Sequence, residues 1–292
     1  MIYLLIFFFM VAFSLWSLHI YRYGIFYLLA FLIGYGFFHF IAVKNVFAKS
    51  FPRMQAFLTT YVDDLVLMIF LGVLVWGRLG HVFIYNAPYY LHHLQEIFQV
   101  WKWGMSFIGW LIGVTVALLF FVWKHKFTRK EFLLLGDLIF AILPFGIMLG
   151  RIGNYLNQEL YGIVVPAWVF ELPARLFYAL WSLNIFHIYP LVDNFLRVNT
   201  NFLASFFEGF VLLVITLLMV RRWVVTKKII PWKIMAVFLL RYSFVRFFLE
   251  YLRADSQLEF HGWFTTSQWY FIAFFLLGVI VWISTKMRKA NS

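Results

Sequence analysis

The stretch FLLLGDLIFAILPFGIML, from Phe132 to Leu149, is followed directly by GRIGNYLNQELYG, from Gly150 to Gly162. The first stretch is almost entirely apolar and is close to the ~20 residues that a helix needs to cross the hydrocarbon core of a bilayer. The second stretch brings together an arginine, two asparagines, a glutamine and a glutamate. The pair therefore predicts a membrane-spanning helix whose end carries a concentration of polar groups.

The composition of the whole chain supports a membrane protein. Of the 292 residues, 64% are hydrophobic and 12% are charged, and the mean hydropathy is +0.88. A soluble domain of this length could not bury so much apolar surface. The spans are expected to be helices because the backbone must satisfy its own hydrogen bonds in lipid, and the short alternating segments of a membrane barrel are absent from the sequence.

Eight apolar segments run along the chain, at about 2–18, 24–43, 65–85, 105–123, 132–150, 202–220, 234–252 and 264–285. The first lacks a basic start and a small-residue cleavage site, so we interpret it as a retained helix rather than a signal peptide. The predicted fold is an all-α integral membrane protein, a bundle of seven to eight transmembrane helices with a small extracytoplasmic cap. We expect residues 1–292 to form a single polytopic membrane domain.

The positive charges predict the orientation of this bundle. Most of the 24 basic residues lie after the second, fourth and sixth segments or at the C-terminus: Lys44, Lys49, Arg53, Lys124, Lys126, Arg129, Lys130, Arg221, Arg222, Lys227, Lys228, Lys233, Lys286, Arg288 and Lys289. By the positive-inside rule, these loops and both termini are cytoplasmic. The connection 151–201 is then the extracytoplasmic cap region. The net charge of +12 is explained by these short loops, so a nucleic-acid partner is not expected.

Several charged residues remain inside the predicted spans, where they are costly and usually mark function or a paired structural role. In RYSFVRFFLEYLR, from Arg241 to Arg253, one helix face carries Tyr242, Arg246, Glu250 and Arg253. One interpretation is an Arg246–Glu250 ion pair that joins two helices. The other is an anion site at the outer leaflet, in which Arg246, Arg253 and a facing Arg151 outnumber Glu250 and hold a phospholipid phosphate.

Other isolated polar residues leave similar alternatives open. Arg78, in WGRLGHVFIY, is either part of a close helix contact through Gly77 and Gly80 or a second cation beside His81. Asp137 and Glu208 are single acids in apolar runs, and each is expected to pair with one of the buried arginines. The histidines show no metal-ligand spacing with carboxylates, so no metal site is predicted. The chain has no cysteine, which excludes disulfides and a cysteine nucleophile within it.

The string GRIGNYLNQELYG resembles the signature of the bacterial prolipoprotein diacylglyceryl transferases, roughly G-R-x-G-N-[FY]-x-N-x-E-x-x-G. Further stretches are similar to that family in the same order, and together the similarities run from about residue 21 to residue 268. They are YRYGIFYLLAF (Tyr21 to Phe31), GRLGHVFIYNAP (Gly77 to Pro88), WKWGMSFIGWLIG (Trp101 to Gly113) and RYSFVRFFLEYLRADSQL (Arg241 to Leu258).

The resemblance implies an activity, a location and a set of partners. The family transfers the diacylglyceryl group of phosphatidylglycerol to the lipobox cysteine thiol of a prolipoprotein; a thioether forms and glycerol 1-phosphate leaves. It implies a multi-pass enzyme of the bacterial cytoplasmic (inner) membrane that has its active site toward the extracytoplasmic face. The implied partners are phosphatidylglycerol, membrane lipid and prolipoprotein signal peptides with a lipobox cysteine, and no cofactor is implied.

The resemblance also implies roles for individual residues. The expected catalytic residues are Arg151, Arg246, Tyr242 and Glu250, which match the family, and His81, which replaces a family tyrosine. The expected substrate-binding residues are Tyr23, Arg78, Asn154, Asn157, Glu159, Gly162 and Arg253. Asp137 and Glu208 match acids of the family.

The chain departs from the family pattern at positions that bear on the base. The histidine of the family's S-F-H-G-G motif is replaced by Ile108, and the second glycine of that motif by Trp110. Since isoleucine cannot accept the thiol proton, His81 and Glu250 are the candidate bases. The alternatives to a transferase are a non-catalytic relative that binds phospholipid or lipoprotein precursors, and an enzyme with another donor or acceptor. A transporter is not favoured because paired broken helices are absent from the sequence.

Overall fold

A computed structural model describes residues 22–99, 106–255, 260–261 and 263–290. The predicted first segment, 2–18, lies outside the described residues. The long helices are α1 (Arg22–Val43), α2 (Pro52–Gly80), α4 (Phe107–Lys124), α5 (Arg129–Leu156), α8 (Leu212–Thr226), α9 (Lys233–Glu250) and α10 (Thr266–Ala290). The short helices are α3 (Ala87–His92), α6 (Ala174–Ser182) and α7 (Thr200–Ala204), with π-helical segments at His81–Tyr85 and Ser205–Val211 and 3₁₀ turns at Leu94–Glu96 and Ala167–Glu171.

The described residues contain four helical segments that are long and apolar enough to cross a membrane, Pro52–Ile84, Arg129–Leu156, Thr200–Thr226 and Thr266–Thr285. Two shorter apolar helices, Leu28–Val43 and Ile108–Lys124, accompany them. The protein is therefore a predominantly helical membrane protein. The predicted span 234–252 is also helical, but Arg241, Arg246 and Glu250 make it too charged to qualify by hydropathy.

The all-α prediction did not include four short strands. Strands β1 (Phe186–Ile188) and β2 (Leu196–Val198) pair antiparallel, with Phe186 opposite Val198. Strands β3 (Phe260–His261) and β4 (Phe264–Thr265) form a second, smaller hairpin. Such three- and two-residue strands carry no periodicity long enough to be recognised in a sequence.

The chain divides into two compact units, one of them Ile33–Phe132. Its centre is the contact between α2 and α4, where glycines let the two backbones touch. A Cβ atom added to Gly109 would lie 2.0 Å from the Trp76 carbonyl oxygen, and one added to Gly113 would lie 2.1 Å from that of Gly72. Small residues at this spacing are the usual basis of close helix packing in membranes. Lipid tails are as apolar as the side chains, so helices associate through close packing and not through the hydrophobic effect.

The second unit comprises the described residues from Leu133 onward together with those before Ile33. Here α5 packs closely on the π-helical segment Ser205–Val211, because a Cβ atom on Gly209 would lie 2.8 Å from the Met148 Cα atom. About two helical turns away, the Thr216 hydroxyl donates to the Ala141 carbonyl oxygen at 2.8 Å. These contacts fix α5 against the chain that carries Glu208.

Asp137 joins α5 to α9 in a way that the sequence did not predict. Its Oδ1 atom accepts a hydrogen bond from the backbone N–H of Met235 at 2.8 Å, in the first turn of α9. The carboxylate therefore caps a helix N-terminus, where backbone donors lack partners within the helix. The expectation that Asp137 pairs with a buried arginine was wrong, because the start of α9, not its arginines, faces this position.

The residues between α5 and α7 form a small body with its own core. Val165, Val169, Phe186 and Val198 are buried together, and Phe177 and Leu180 of α6 pack against them. Isolated strand bridges connect Gly162 to Arg253 and Val164 to Arg197. The region thus links the end of α5, the β1–β2 hairpin and the chain that follows α9.

Candidate functional site

The central feature of the site is a carboxylate that two arginines share. Glu208 is fully buried in the π-helical segment, and its Oε2 atom lies 3.6 Å from Nη2 of Arg151. Its Oε1 atom lies 3.5 Å from Nη1 of Arg246. The expectation that Glu208 pairs with a buried arginine is confirmed, and it holds for two arginines that belong to different helices.

The local structure places each member of this group. Arg151 lies in the last two turns of α5, which continues unbroken to Leu156. Glu208 lies in the π-helical segment Ser205–Val211, and such segments are frequent at functional sites. Arg246 is supported from α10, where Gln268 donates to the Phe247 carbonyl oxygen at 3.1 Å and the Phe271 ring lies 5.7 Å from the guanidinium carbon.

The i,i+4 pair that the sequence suggested is present. Nη2 of Arg246 lies 3.0 Å from Oε2 of Glu250, and both side chains are almost fully buried. Nη1 of Arg253 lies 3.8 Å from the same oxygen, so Glu250 also contacts two guanidinium groups. Tyr242 stacks on Phe238 with ring centroids 5.3 Å apart and lies within electrostatic reach of Glu208 and Arg246.

Arg253 is held by a third carboxylate and by the backbone. Its Nε atom donates to Oδ1 of Asp255 at 3.0 Å, and its Nη2 atom pairs with Oδ2 of the same residue. The backbone bridge to Gly162 fixes the Arg253 main chain. A side chain at Gly162 could not fit there, because a Cβ atom would lie 2.3 Å from the Val198 carbonyl oxygen.

The described network contains three arginines and three carboxylates. Arg151, Arg246 and Arg253 are matched by Glu208, Glu250 and Asp255. The expected excess of positive charge over Glu250 was therefore wrong, because packing brings Glu208 to the arginines and a turn brings Asp255. Buried charges require such pairing, since an isolated ion in a low-dielectric interior costs several kcal/mol.

The polar string around Arg151 remains helical through Gly150 and Gly153. The chain turns later, at Gln158 and Leu160, which both have positive φ angles. Oε1 of Gln158 accepts a hydrogen bond from the backbone N–H of Leu191 at 2.7 Å. An amide side chain thereby stabilises a left-handed backbone position that usually favours glycine.

The other predicted binding residues of this string lie along the same turn. The Asn154 carbonyl oxygen accepts the Glu159 N–H at 2.9 Å, and the Asn157 N–H donates to Gly153 at 3.0 Å. The Glu159 carbonyl oxygen accepts a hydrogen bond from Nδ2 of Asn201 at 2.7 Å. These main-chain contacts tie the end of α5 to the start of α7.

Arg78 and His81 lie in the other unit, at the end of α2. Arg78 is 2% exposed and donates to the carbonyl oxygens of Ile97 at 3.0 Å and Glu96 at 2.6 Å. Nε2 of His81 accepts a hydrogen bond from Nδ2 of Asn86 at 3.1 Å. Arg78 thus holds the loop that follows α3, and its predicted role in binding substrate stays a prediction. The predicted binding residue Tyr23 belongs to α1, but its side chain lies outside the described residues.

Two polar contacts in the connection between α5 and α7 were missed by the sequence analysis. The Tyr155 hydroxyl lies 3.2 Å from Nδ1 of His187 on β1, and burial lowers the pKa of this imidazole below its usual value. Arg197 on β2 binds Asp193 through its Nε atom and donates to the Gly162 carbonyl oxygen at 3.0 Å. The hydrogen bond to Asp193 raises the Arg197 pKa and lowers that of Asp193. Only Arg197 and Asp193 offered a sequence signal, an opposite-charge pair four residues apart.

The fold and these contacts define a helical membrane protein with a charged network buried at the ends of its helices. The chain belongs to the prolipoprotein diacylglyceryl transferase family, whose sequence model matches residues 10–284. It is 32% identical over 285 residues to the phosphatidylglycerol–prolipoprotein diacylglyceryl transferase of Francisella tularensis subsp. holarctica (strain FTNF002-00 / FTA). The same identity is found for the enzyme of that name from F. tularensis subsp. novicida (strain U112). Each alignment covers 96% of this chain and 94% of the relative.

Proposed function

We propose that this protein transfers the diacylglyceryl group of phosphatidylglycerol to the lipobox cysteine thiol of prolipoproteins in the bacterial cytoplasmic membrane. Relatives that bear the name of this enzyme match nearly the whole chain, which favours the transferase over a non-catalytic lipid-binding relative. The structural observation that carries the proposal is the convergence of Arg151 and Arg246 on one buried carboxylate. Two guanidinium groups so placed suit a phosphate ester.

The reaction assigns a task to these groups. The thiol loses its proton, its sulfur forms a bond to the terminal glyceryl carbon, and the bond from that carbon to the phosphate oxygen breaks. Glycerol 1-phosphate leaves with the electron pair of the broken bond. Arg151 and Arg246 stabilise the negative charge that grows on the departing phosphate, which is the general role of fixed cations in a site from which water is excluded.

Several of the other predicted residues lie in the same compact unit as this pair. Tyr242 lies on α9 with Arg246, and Arg253 follows directly after that helix. Both orient the headgroup. Asn154, Asn157, Glu159 and Gly162 form the turn beside Arg151 and line the approach of the glycerol. For the proton acceptor, His81 and Glu250 remain the two candidates, and each must reach the thiol directly or through one water molecule.

The proposal includes the finer topology. Seven to eight transmembrane helices form one polytopic domain over residues 1–292, both termini are cytoplasmic, and the site faces the extracytoplasmic side. Residues 151–201 enter the cap, although α5 itself extends to Leu156. The basic loops support this orientation by the positive-inside rule.

The direct test uses purified protein in phosphatidylglycerol vesicles with a fluorescent lipobox peptide, and mass spectrometry detects the diacylglyceryl thioether. We expect an adduct with the native chain and none with Arg246→Ala. The matched control is Arg241→Ala, because Arg241 lies on the same helix but is exposed. Lipid binding without an adduct would overturn the transferase in favour of a binding protein, and an adduct from another phospholipid would indicate a different donor.

A further inference from the structure

Four aromatic side chains form an exposed group on the body between α5 and α7. Trp168 and Phe170 belong to the 3₁₀ turn Ala167–Glu171, and Tyr178 and Trp181 belong to α6. Their exposed fractions are 62%, 56%, 68% and 45%, in that order. We refer to these four residues as the aromatic patch.

Three members of the patch, Phe170, Tyr178 and Trp181, have their rings close to that of Phe177. The Phe177 ring lies 5.7 Å from that of Phe170, 6.1 Å from that of Tyr178 and 6.3 Å from that of Trp181, measured between centroids. Phe177 itself packs on the buried core of the body, with its ring stacked 6.1 Å from that of Phe186. These three side chains are therefore supported by the core of the body, while the outer face of the patch is exposed among the described residues.

Helix α6 is consequently apolar on more than one side. Phe177 and Leu180 face the core, and Tyr178 and Trp181 project beyond it. A water-facing helix normally turns charged residues outward and buries one apolar stripe. Large contiguous apolar patches on a folded surface usually mark an interface, and aromatic side chains contribute ~150–250 Å² each when they are buried.

We propose that the aromatic patch lies in the headgroup region of the outer leaflet and anchors the body between α5 and α7 to the bilayer. Its composition fits this occupant, because tryptophan and tyrosine concentrate at membrane–water interfaces, where a ring meets lipid and a polar atom meets water. Arg175, exposed on the same helix, can reach lipid phosphates from this position.

The connections of the body favour a lipid surface over a soluble partner. The body follows directly after the candidate span Arg129–Leu156 and ends where the candidate span Thr200–Thr226 begins. Both of its ends therefore lie at one membrane face, which makes a lipid surface the nearest one for the patch to contact. The inference rests on the membrane embedding and topology given under the proposed function, but not on the transfer reaction.

The absence of cysteine from the chain makes a depth measurement straightforward, because one introduced cysteine is the unique labelling site. Phe170→Cys and Tyr178→Cys carry a nitroxide label in phosphatidylglycerol vesicles, and collision rates with oxygen and with a water-soluble nickel chelate are compared. Asn194→Cys, exposed beyond β1, is the aqueous reference, and Leu217→Cys, exposed on α8, is the lipid reference.

At positions 170 and 178 we expect the ratio of oxygen to nickel collisions in vesicles to lie between the values at the two reference positions. Nickel access equal to that at Asn194 in vesicles would overturn the proposal and point to a surface for a soluble partner. If one of the two variants, Phe170→Cys or Tyr178→Cys, fails to fold, the other still reports the depth of the patch. A lipid-buried patch with no thioether product would refute the transferase alone, whereas product with a water-exposed patch would refute only the anchor.

Discussion

Arg151 and Arg246, on two different helices, approach opposite oxygens of the same buried carboxylate, that of Glu208. Both distances, 3.6 and 3.5 Å, are longer than a good charge-assisted hydrogen bond of ~2.7–2.9 Å. Glu208 thus neutralises the two guanidinium groups without forming the short bidentate contact that arginine makes with a well-fitting anion. This arrangement is suited to a site in which a phosphate competes for the same donors.

Replacement of Arg246 should slow the transfer reaction. Arg246→Ala removes a cation near the leaving phosphate, and the loss of one such donor typically lowers the rate by about 10²- to 10³-fold. Arg246→Lys should recover only a part of this loss, because an ammonium group cannot make two parallel hydrogen bonds. The rate of thioether formation measures the effect, and an Arg246→Ala rate within a factor of two of the Arg241→Ala control would contradict it.

Glu208→Gln should reveal the competition between carboxylate and phosphate. The amide keeps the shape of the side chain but leaves two buried arginines without their shared charge, which should destabilise the protein by roughly 3–5 kcal/mol. Phosphatidylglycerol should then raise the melting temperature of the variant by more than it raises that of the native chain. Neutral phosphatidylcholine is the control lipid, and equal shifts in the two proteins would show that Glu208 does not share its arginines with the lipid.

The position of Asp137 predicts an effect on stability alone. Asp137→Ala removes the side chain that accepts the Met235 N–H at the start of α9, and the loss of such a cap costs ~0.5–2 kcal/mol. Asp137→Asn keeps an acceptor and should cost less. Thermal unfolding in detergent measures both variants, and a catalytic defect in Asp137→Asn with unchanged stability would argue against the capping role.

Four of the predicted spans and the Arg246–Glu250 pair were predictable because their information is local. Hydropathy marks the helices, and a spacing of four residues brings two side chains together on any helix. Glu208 could be expected to find an arginine, but not two, because its contacts depend on how the Gly209 backbone meets Met148. Asp137 was assigned the wrong partner for the same reason: the start of α9 reaches it through tertiary packing.

Substitutions at the neighbouring positions 108 and 109 should differ strongly in their effect on stability. Ile108→His restores the residue of the family pattern in the first turn of α4 at a site that is 46% exposed, so the larger side chain meets no steric barrier and should cost less stability than a methyl group at Gly109. Gly109→Ala places a methyl group within 2.0 Å of the Trp76 carbonyl oxygen and should cost about 1–3 kcal/mol or prevent folding. Melting temperatures of the two variants test this, and a tolerated Gly109→Ala would contradict the backbone contact between α2 and α4.

The Tyr155–His187 contact predicts a pH dependence for the region around β1. Because burial lowers the His187 pKa in the folded state, the unfolded chain binds the proton more readily. The contribution of neutral His187 to stability is fully present above the ordinary histidine pKa of ~6.5. It is lost as the pH falls from there through the lower pKa of the folded state. Protection of the Phe186–Val198 amides from hydrogen exchange, corrected for intrinsic rates, should fall over this range. His187→Gln should abolish the fall, and a fall that persists in this variant would assign it to another group.

The distribution of the charges has a consequence for biosynthesis. Arg246 and Glu250 lie on one helix and can enter the bilayer already paired, whereas Arg151 and its partner Glu208 lie on successive spans. While the ribosome is still making the stretch after Leu156, α5 carries an arginine whose acid has not yet been translated. Until Glu208 emerges, Arg151 can reach the polar interface from its position near the end of that span, and the order of synthesis sets the earliest moment at which the site can be assembled.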